Sequence, residues 1–298
     1  MISFIINKKT YTFLGEKMKN FFQIIGIITL MIGSFIYTEN VQKASITSDT
    51  LLNEIKSKKD GYKENAIEPI IKDNTISPGL NGKEVDVNKS YEEMSKIGYF
   101  DDKLLVYKTL HVENILDKNK DKYIISLNNS KTNINIIFKV DNNDDITSII
   151  KTLTKKNLKG TFFITSGYLE KHHNQIIDLI QQDYTIGNLS NNEDYEDSDF
   201  IWMKTIITNI GNQKYNYCLT DKPNKKIINN CKIQNSYTIM TKNIIKTNPL
   251  INIKRMIKPG SIIVMDVNKE VIKELETVLN YLESRGYNVM SLEAGLKE

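Results

Sequence analysis

The segment Leu158–Lys171, LKGTFFITSGYLEK, indicates the fold because a short apolar strand in it leads directly into a helix. Lys159–Thr165 carries the aromatic and β-branched residues that are typical of a buried strand. Leu169–Gln181 then places Ile176 and Ile180 on one side of a predicted helix. A buried strand followed at once by an amphipathic helix predicts a β-α-β unit, in which helices cover a parallel sheet.

The same alternation continues on both sides of this segment. Ile134–Phe138 alternates like a strand, and Asp144 or Asp145 can cap the helix that follows it. The other predicted elements are the strand Tyr184–Asn188, the turn and buried strand Lys258–Met265, the helix Val271–Leu282 and the strand Tyr287–Leu292. Alternating β and α elements with buried strands predict a parallel sheet or a barrel.

Four pieces of the chain, in this order, resemble the polysaccharide deacetylase (NodB-homology) family over residues 131–298. Besides LKGTFFITSGYLEK, they are TIGNLS at 185–190, KPGSIIVMD at 258–266 and YLESRGYNVMSLEAGL at 281–296. The resemblance implies an α/β fold, a distorted (β/α) barrel with its active groove at the carboxyl ends of the strands. It also implies a divalent metal such as zinc, held by one Asp and two His, which activates water to remove acetyl groups from a glycan.

The first catalytic segment of the family is altered in this chain. The family's first strand ends in Phe-Asp-Asp-Gly, which supplies the base and a metal ligand, whereas here Phe138 is followed by Lys139, Val140 and Asp141. A lysine places a cation beside a cation site, and a valine has no donor atom. A shifted register that uses Asp141 or Asp144 as ligand is the functional alternative, but we favour a role in capping the next helix.

The other catalytic positions of the family are altered too. Its two metal-binding histidines correspond to Leu189 and Glu193, and its leaving-group histidine corresponds to Asp266. The groove-wall motif Arg-Pro-Pro-Tyr-Gly has only a trace in Tyr217–Lys222, without the arginine. We therefore predict no bound metal or other cofactor and no catalytic residue in the family's positions. The polar residues that remain as candidates for contact with a glycan are Asp141, Asn188, Ser190, Glu193 and Asp266.

The amino end contains an uncharged run, Phe21–Tyr37, close to the length of about 17 to 25 residues that a membrane-spanning helix needs. Four lysines precede the run and only Lys43 follows it closely, which predicts a cytoplasmic amino end and an extracytoplasmic remainder. We favour a retained single-pass anchor in the cell membrane over a cleaved signal peptide, because no convincing cleavage site follows Tyr37. Residues 1–17 need not be translated, since Met18 begins a compact membrane signal.

These patterns predict five regions along the chain. They are a cytoplasmic end at 1–20, an anchor at 21–37, a linker with one helical stretch at 38–65, a small α+β subdomain at 66–130 and the deacetylase-like domain at 131–298. The turn signals Pro78-Gly79 and Asn81-Gly82, followed by a helical pattern around Met94, support the small subdomain.

The composition limits the function further. With 298 residues and a hydrophobic fraction of 40%, the chain can bury a substantial core. Its net charge of +4 comes from 40 basic and 36 acidic residues mixed along the sequence, so we expect no nucleic-acid partner. Cys218 and Cys231 permit one disulfide, but we favour two buried thiols.

Taken together, the residues and the resemblance predict a membrane-anchored, extracytoplasmic protein at the cell-wall glycan. We expect a non-catalytic binding or scaffolding module whose partner is cell-wall polysaccharide or peptidoglycan. The alternative is an active carbohydrate deacetylase, a hydrolase of amide or ester bonds with a rearranged site. A module that contacts another envelope protein is a further hypothesis.

Overall fold

A computed structural model describes residues 23–37, 50–112, 115–189 and 198–297. The chain divides into two compact units. The small unit comprises the described residues up to Glu64 together with Lys83–Lys108. The main unit comprises Asn65–Gly82 and Thr109–Glu298.

The secondary structure alternates between strands and helices through most of the main unit. The strands are β1 (Ile70–Lys72), β2 (Thr75–Ser77), β3 (Gly82–Val85), β4 (Tyr107–Leu110), β5 (Tyr123–Ile124), β6 (Asn133–Val140), β7 (Thr161–Ile164), β8 (Thr185–Asn188), β9 (Tyr217–Thr220), β10 (Tyr237–Met240), β11 (Ile244–Ile245), β12 (Ile262–Asp266) and β13 (Asn288–Val289). The helices are α1 (residues 23–37), α2 (Thr50–Lys58), α3 (Val87–Ser95), α4 (Ile115–Lys118), α5 (Thr147–Lys155), α6 (Ser166–Gln181), α7 (Ser198–Thr205), α8 (Lys225–Ile233), α9 (Pro249–Met256), α10 (Lys269–Ser284) and α11 (Leu292–Gly295). Two 3-10 turns, Lys59–Tyr62 and Asp102–Leu104, and a π-helical turn, Ile206–Ile210, complete the list.

One sheet forms the centre of the main unit. Its strand order is β1-β2-β5-β10-β9-β8-β7-β6-β12-β11, with β13 paired to β6. From β2 to β11 neighbouring strands are parallel, and β1 is antiparallel to β2. Among the described residues no pairing joins the outer strands β1 and β11, so the sheet is a half-barrel. The expected α/β architecture is confirmed in this more open form.

The two faces of the sheet carry separate apolar cores. Phe138 and Val140 of β6 belong to the helix-side core, together with residues of α5, α6 and α10. Ile137 of β6 and Val264 of β12 belong to the inner core, on the opposite face. Since side chains alternate along a strand, Lys139 shares the inner face with Ile137.

Two glycines explain why parts of the motifs are present. A Cβ on Gly187 would lie 2.4 Å from atoms of the Phe163 ring, so this ring can fill the inner core only beside a glycine. Gly260 has a φ of +78°, and a Cβ there would lie 2.7 Å from the backbone oxygen of Leu127. The TIGN and KPG segments are thus fixed by packing and backbone conformation.

The small unit has its own core. Leu51 and Ile55 of α2 pack there with Val85, Met94 and Leu105. This arrangement differs from the predicted boundaries, because α2 lies in the range assigned to a linker and yet buries apolar side chains. Residues 66–82 and 109–130, which we assigned to the small subdomain, belong to the main unit and supply β1, β2 and β5 to its sheet. The short apolar pattern of α2 did not reveal its packing partners.

Helix α1 covers most of the run that we interpreted as an anchor. Apolar side chains such as Leu30 and Phe35 are exposed on it. None of the helices in the described part of the chain is both long and apolar enough to cross a membrane. The start of the chain, including Met18, lies outside the described residues, and the anchor stays a prediction.

The two cysteines form a disulfide, which corrects our preference for buried thiols. Cys218 in β9 and Cys231 in α8 have Cα atoms 6.5 Å apart. The bond lies in a buried cluster with Phe200 and Ile227 and ties α8 to β9. The sequence separation of 13 did not reveal this pairing, because the residues meet only after the strand, the turn and the helix have formed.

Candidate functional site

Lys139 and Asp266 lie side by side at the carboxyl edge of the sheet. The parallel strands β6 and β12 pair Asp266 with Lys139 and Val264 with Ile137. Ile137 and Val264 belong to the inner core, so Lys139 and Asp266 lie on the same inner face. Both residues are half-buried. The resemblance assigns the base and the leaving-group acid to these two positions.

Two of the positions that the resemblance assigns to metal ligands are apolar and buried. Val140 is fully buried in the helix-side core, the same apolar cluster that contains Ile149 and Leu153 of α5. Leu189 is 9% exposed and belongs to the inner core. Neither side chain carries a donor atom, and each contributes to packing instead.

The loop after β6 brings carboxylates together. Asp144 Oδ2 accepts a hydrogen bond of 2.7 Å from the backbone N–H of Asp141. Burial raises the pKa of Asp144, the charges of Asp141 and Asp266 raise it further, and the hydrogen bond from Asp141 lowers it. Asp145 Oδ1 accepts a 2.9 Å hydrogen bond from the backbone N–H of Thr147, at the start of α5. Asp144 thus organises the loop, and Asp145 holds the first residue of α5 from one position before the N-cap. The N-cap residue itself is Ile146, which makes no side-chain capping hydrogen bond, so neither aspartate is the N-cap that the sequence suggested.

Asn142, Thr165 and Tyr168 form a part of this edge that sequence reasoning missed. The buried Thr165 hydroxyl donates to Asn142 Oδ1 and accepts a 3.2 Å hydrogen bond from the backbone N–H of Tyr168, which caps α6. Burial raises the pKa of Tyr168 to about 12, and the nearby aspartates add to this shift. A Cβ on Gly167 would lie 2.9 Å from Asn142 Oδ1, so the Asn142 side chain packs directly against this glycine. A threonine directly before a helical pattern, as at Thr165, is a signal for a helix N-cap. No comparable signal in the sequence predicts the role of Asn142.

The structure separates the predicted glycan-contact residues. Asn188 ends β8 at the same edge, but it shares the face of Ile186, which belongs to the helix-side core. Asn188 is 2% exposed, and its amide nitrogen has no hydrogen-bond partner among the described residues. Ser190 and Glu193 lie outside the described residues. Among the described candidates, Asp141 and Asp266 both lie near Asp144 at the carboxyl edge, since the charges of both act on its carboxyl group.

The segment that we compared with the groove wall is a buried strand. Tyr217–Thr220 is β9, and Cys218 in it is held by the disulfide. The exposed residues Asp221 and Lys222 follow in a turn.

The described donor atoms do not fit a divalent metal at the family's position. The ligand positions that the structure describes hold Val140 and Leu189, and Lys139 adds a cation beside them. In the described ranges, no group of three or more His, Cys, Asp or Glu side chains is arranged to hold a metal ion. No step of metal chemistry can be assigned to these residues.

Comparison with solved structures shows the fold. A CE4 family pseudoenzyme from Bacillus anthracis is 22% identical, with a TM-score of 0.64, over 84% of this chain and 96% of that chain. A mutant of the same pseudoenzyme with restored enzymatic activity is 21% identical, with a TM-score of 0.64, over 84% of this chain and 99% of that chain. A peptidoglycan N-acetylglucosamine deacetylase is 17% identical, with a TM-score of 0.50, over 58% of this chain and 91% of that chain. The expected likeness to the polysaccharide deacetylases is confirmed for the fold.

Comparison of sequences adds a more limited match. The uncharacterized protein YlxY of Bacillus subtilis (strain 168) is 27% identical over 116 residues, which are 39% of this chain and 36% of that protein. The match thus spans little more than a third of the length of that relative. No family model matches the chain.

Proposed function

We propose that this chain is a non-catalytic glycan-binding module, built on the deacetylase half-barrel, that acts at the cell wall. The observation that carries the proposal is the replacement of reactive groups at the carboxyl edge. Lys139 lies beside Asp266, and the apolar Val140 and Leu189 are buried where metal ligands would be needed. Hydrolysis of an acetyl group by this fold would need a metal-activated water, for which the described residues offer no donors.

The likeness to a CE4 pseudoenzyme supports this proposal, because a protein that bears that name has a similar fold. The packing of Gly187 against Phe163 and the turn at Gly260 are intact. A chain that keeps these structural positions while its reactive positions differ is better suited to binding than to turnover.

We place the main unit outside the cytoplasm, on a single-pass anchor that begins near Phe21. The uncharged run and the lysines before it support this topology. The disulfide between Cys218 and Cys231 also supports it, since such bonds persist in oxidising compartments. Translation from Met18 would leave a compact anchor signal. Protease treatment of intact cells tests the topology, because an external protease should remove the main unit.

Cosedimentation tests the binding function. The full-length protein is incubated with purified peptidoglycan and with chitin, and the pellet and the supernatant are compared. We expect retention by at least one of these glycans and a weaker retention of the variant Lys139→Met. Lys151→Met, on the exposed side of α5, is the matched control and should behave like the unmodified protein. Protein that stays in the supernatant with both glycans would contradict the proposal.

A further inference from the structure

A second site is suggested by a cavity at the opposite edge of the main unit's sheet. Its volume is about 370 Å³, within the range of small-ligand sites. Tyr217 and Tyr237, the first residues of β9 and β10, line it, and they pair with each other in the sheet register. The cavity therefore lies at the amino edge, whereas Lys139 is the next-to-last residue of β6 and Asp266 is the last residue of β12, at the carboxyl edge.

Helix α11 covers this amino edge and fixes one side of the cavity. The backbone N–H of Leu292 donates to the hydroxyl of Thr161 at 2.8 Å, and that of Glu293 donates to the hydroxyl of Thr185 at 3.0 Å. Thr161 and Thr185 are the first residues of β7 and β8. Because both hydroxyls hold the start of α11, Glu293 is presented at the cavity by rigid elements.

Three tyrosines give the cavity an aromatic wall. The Tyr215 and Tyr237 rings meet edge to face with centroids 5.1 Å apart, and the Tyr217 and Tyr237 centroids are 5.9 Å apart. Tyr217 and Tyr237 are buried, while Tyr215 is half-buried and forms the more accessible part of the wall. Rings held by one another in this way form a preformed aromatic wall, and Lys214 Nζ lies over the Tyr215 ring, 4.6 Å from its centroid.

The Tyr217 hydroxyl is a buried polar group on a residue that lines the cavity. Tyr217 is fully buried, and within the described part of the chain its hydroxyl makes no hydrogen bond. The neighbouring Tyr237 hydroxyl, by contrast, donates to Asp117. Burial raises the pKa of Tyr217 well above its ordinary value, so the hydroxyl stays protonated and can donate. A buried hydroxyl without a partner is destabilising, and a ligand oxygen that accepts a hydrogen bond from it would remove this penalty.

The rim of the cavity carries charges of both signs. Lys214 and Lys297 line it together with Glu293. Burial raises the pKa of Glu293, while the backbone N–H of Lys214 and the two lysine charges lower it. A rim of mixed sign favours neither a polyanion nor a cation, but it suits neutral hydroxyl and amide groups.

These features together match one chemical class of ligand. A pyranose ring presents an apolar C–H face on one side and hydroxyl groups around its edge. We infer that this amino-edge cavity binds a neutral sugar unit, with its C–H face against Tyr215 and one of its oxygens accepting from Tyr217. The inference deepens the proposed function, on which it rests, by giving the glycan a subsite away from the carboxyl edge.

Titration with N,N′-diacetylchitobiose tests the inference on the full-length protein. We expect saturable binding by calorimetry. Tyr215→Ala should weaken it about tenfold, because the stacking surface is lost. Tyr217→Phe should weaken it about fivefold without lowering the thermal midpoint, because it removes a hydroxyl that is unsatisfied in the free protein. Tyr99→Ala, which changes an exposed tyrosine of the small unit, is the matched control and should leave the affinity unchanged.

Two results would overturn the inference. One is the absence of diacetylchitobiose binding, and the other is binding that neither Tyr215→Ala nor Tyr217→Phe weakens. A lower thermal midpoint with unchanged affinity in Tyr217→Phe would give the hydroxyl a purely structural role and would also overturn it. If the protein is retained on peptidoglycan or chitin but the cavity variants bind diacetylchitobiose like the unmodified protein, only this inference fails. If the cavity variants weaken diacetylchitobiose binding but the protein is retained on neither glycan, only the proposed function fails.

Discussion

Asp266 pairs in register with Lys139 on two parallel strands, and both side chains lie on the inner face of the sheet at its carboxyl edge. The half-buried ammonium group of Lys139 beside the half-buried carboxylate of Asp266 disfavours the binding of a cation there, because the lysine charge repels it. The two residues occupy the positions that the resemblance assigns to the base and the leaving-group acid.

Val140→Asp should destabilise the main unit strongly. Val140 is fully buried in the helix-side core, so an aspartate there would lose its hydration without a partner. We expect the free energy of unfolding to fall by more than about 2 kcal/mol, measured by urea denaturation. Val140→Thr, nearly the same size but uncharged, should cost less. Equal stability of Val140→Asp and the unmodified protein would show that this position faces water.

Asp144→Asn should stabilise the protein near neutral pH. The pKa of Asp144 in the folded state is raised above its ordinary value of 3.8. The native state therefore holds the proton more tightly than the unfolded state, and stability falls as pH rises from 3.8 through the raised folded pKa. The variant keeps an acceptor oxygen for Asp141 and should gain less than about 1 kcal/mol at pH 7.

Asp145→Asn is the control for Asp144→Asn, because we expect it to change the free energy of unfolding in the opposite direction. Hydrogen bonds from Thr147 lower the pKa of Asp145, so its contribution to stability is present above its ordinary pKa and is lost as pH falls through the lowered value. Asp145→Asn should thus lose stability at pH 7. Urea unfolding between pH 3 and 7 measures the free energy of unfolding of both variants. The same dependence on pH in the two variants would contradict the opposite pKa shifts of Asp144 and Asp145.

Gly187→Ala should disturb the inner core. The new Cβ would lie 2.4 Å from the Phe163 ring, which must shift or force the strands apart. We expect a loss of about 1–3 kcal/mol in the free energy of unfolding. Gly61→Ala, where nothing lies within 4 Å of a Cβ, is the control. Adding Phe163→Leu should recover part of the loss, and an additive double variant would mean that the two side chains do not meet.

Removal of the disulfide should weaken the contact between β9 and α8. The bond closes a loop with a sequence separation of 13, and replacing both cysteines by alanine should cost about 2–4 kcal/mol. Unfolding curves with and without reductant measure the effect. Two thiols that react with iodoacetamide in denatured, unreduced protein would show that the bond does not form.

The sequence predicted the elements whose patterns are local. The run at Lys159–Thr165 contains β7, and the helical pattern from Leu169 lies within α6. The strand at Ile134–Phe138 lies within β6, and the run that ends at Met265 overlaps β12. These elements were predictable because buried strands and amphipathic helices each have a distinct spacing of apolar residues.

Other features depend on contacts that no local pattern contains. Asn188 was expected at the groove, yet strand alternation places it on the face of the helix-side core. Asn142 was missed because its role depends on Thr165, which lies 23 residues away. The sequence did not predict the amino-edge cavity, because Tyr217 and Tyr237 come together only when β9 and β10 pair. Pairings between distant segments determine these sites, and a single sequence does not display them.

Acetate release tests the central claim most directly. The full-length protein is incubated with acetylated chitooligosaccharides in the presence of zinc, and acetate and protein-bound metal are measured together. We expect no acetate above the level without protein and no stoichiometric metal, because Val140 and Leu189 offer no ligands and Lys139 occupies the position that the resemblance assigns to the base. Repeated turnover by protein that carries one metal ion per chain would contradict it.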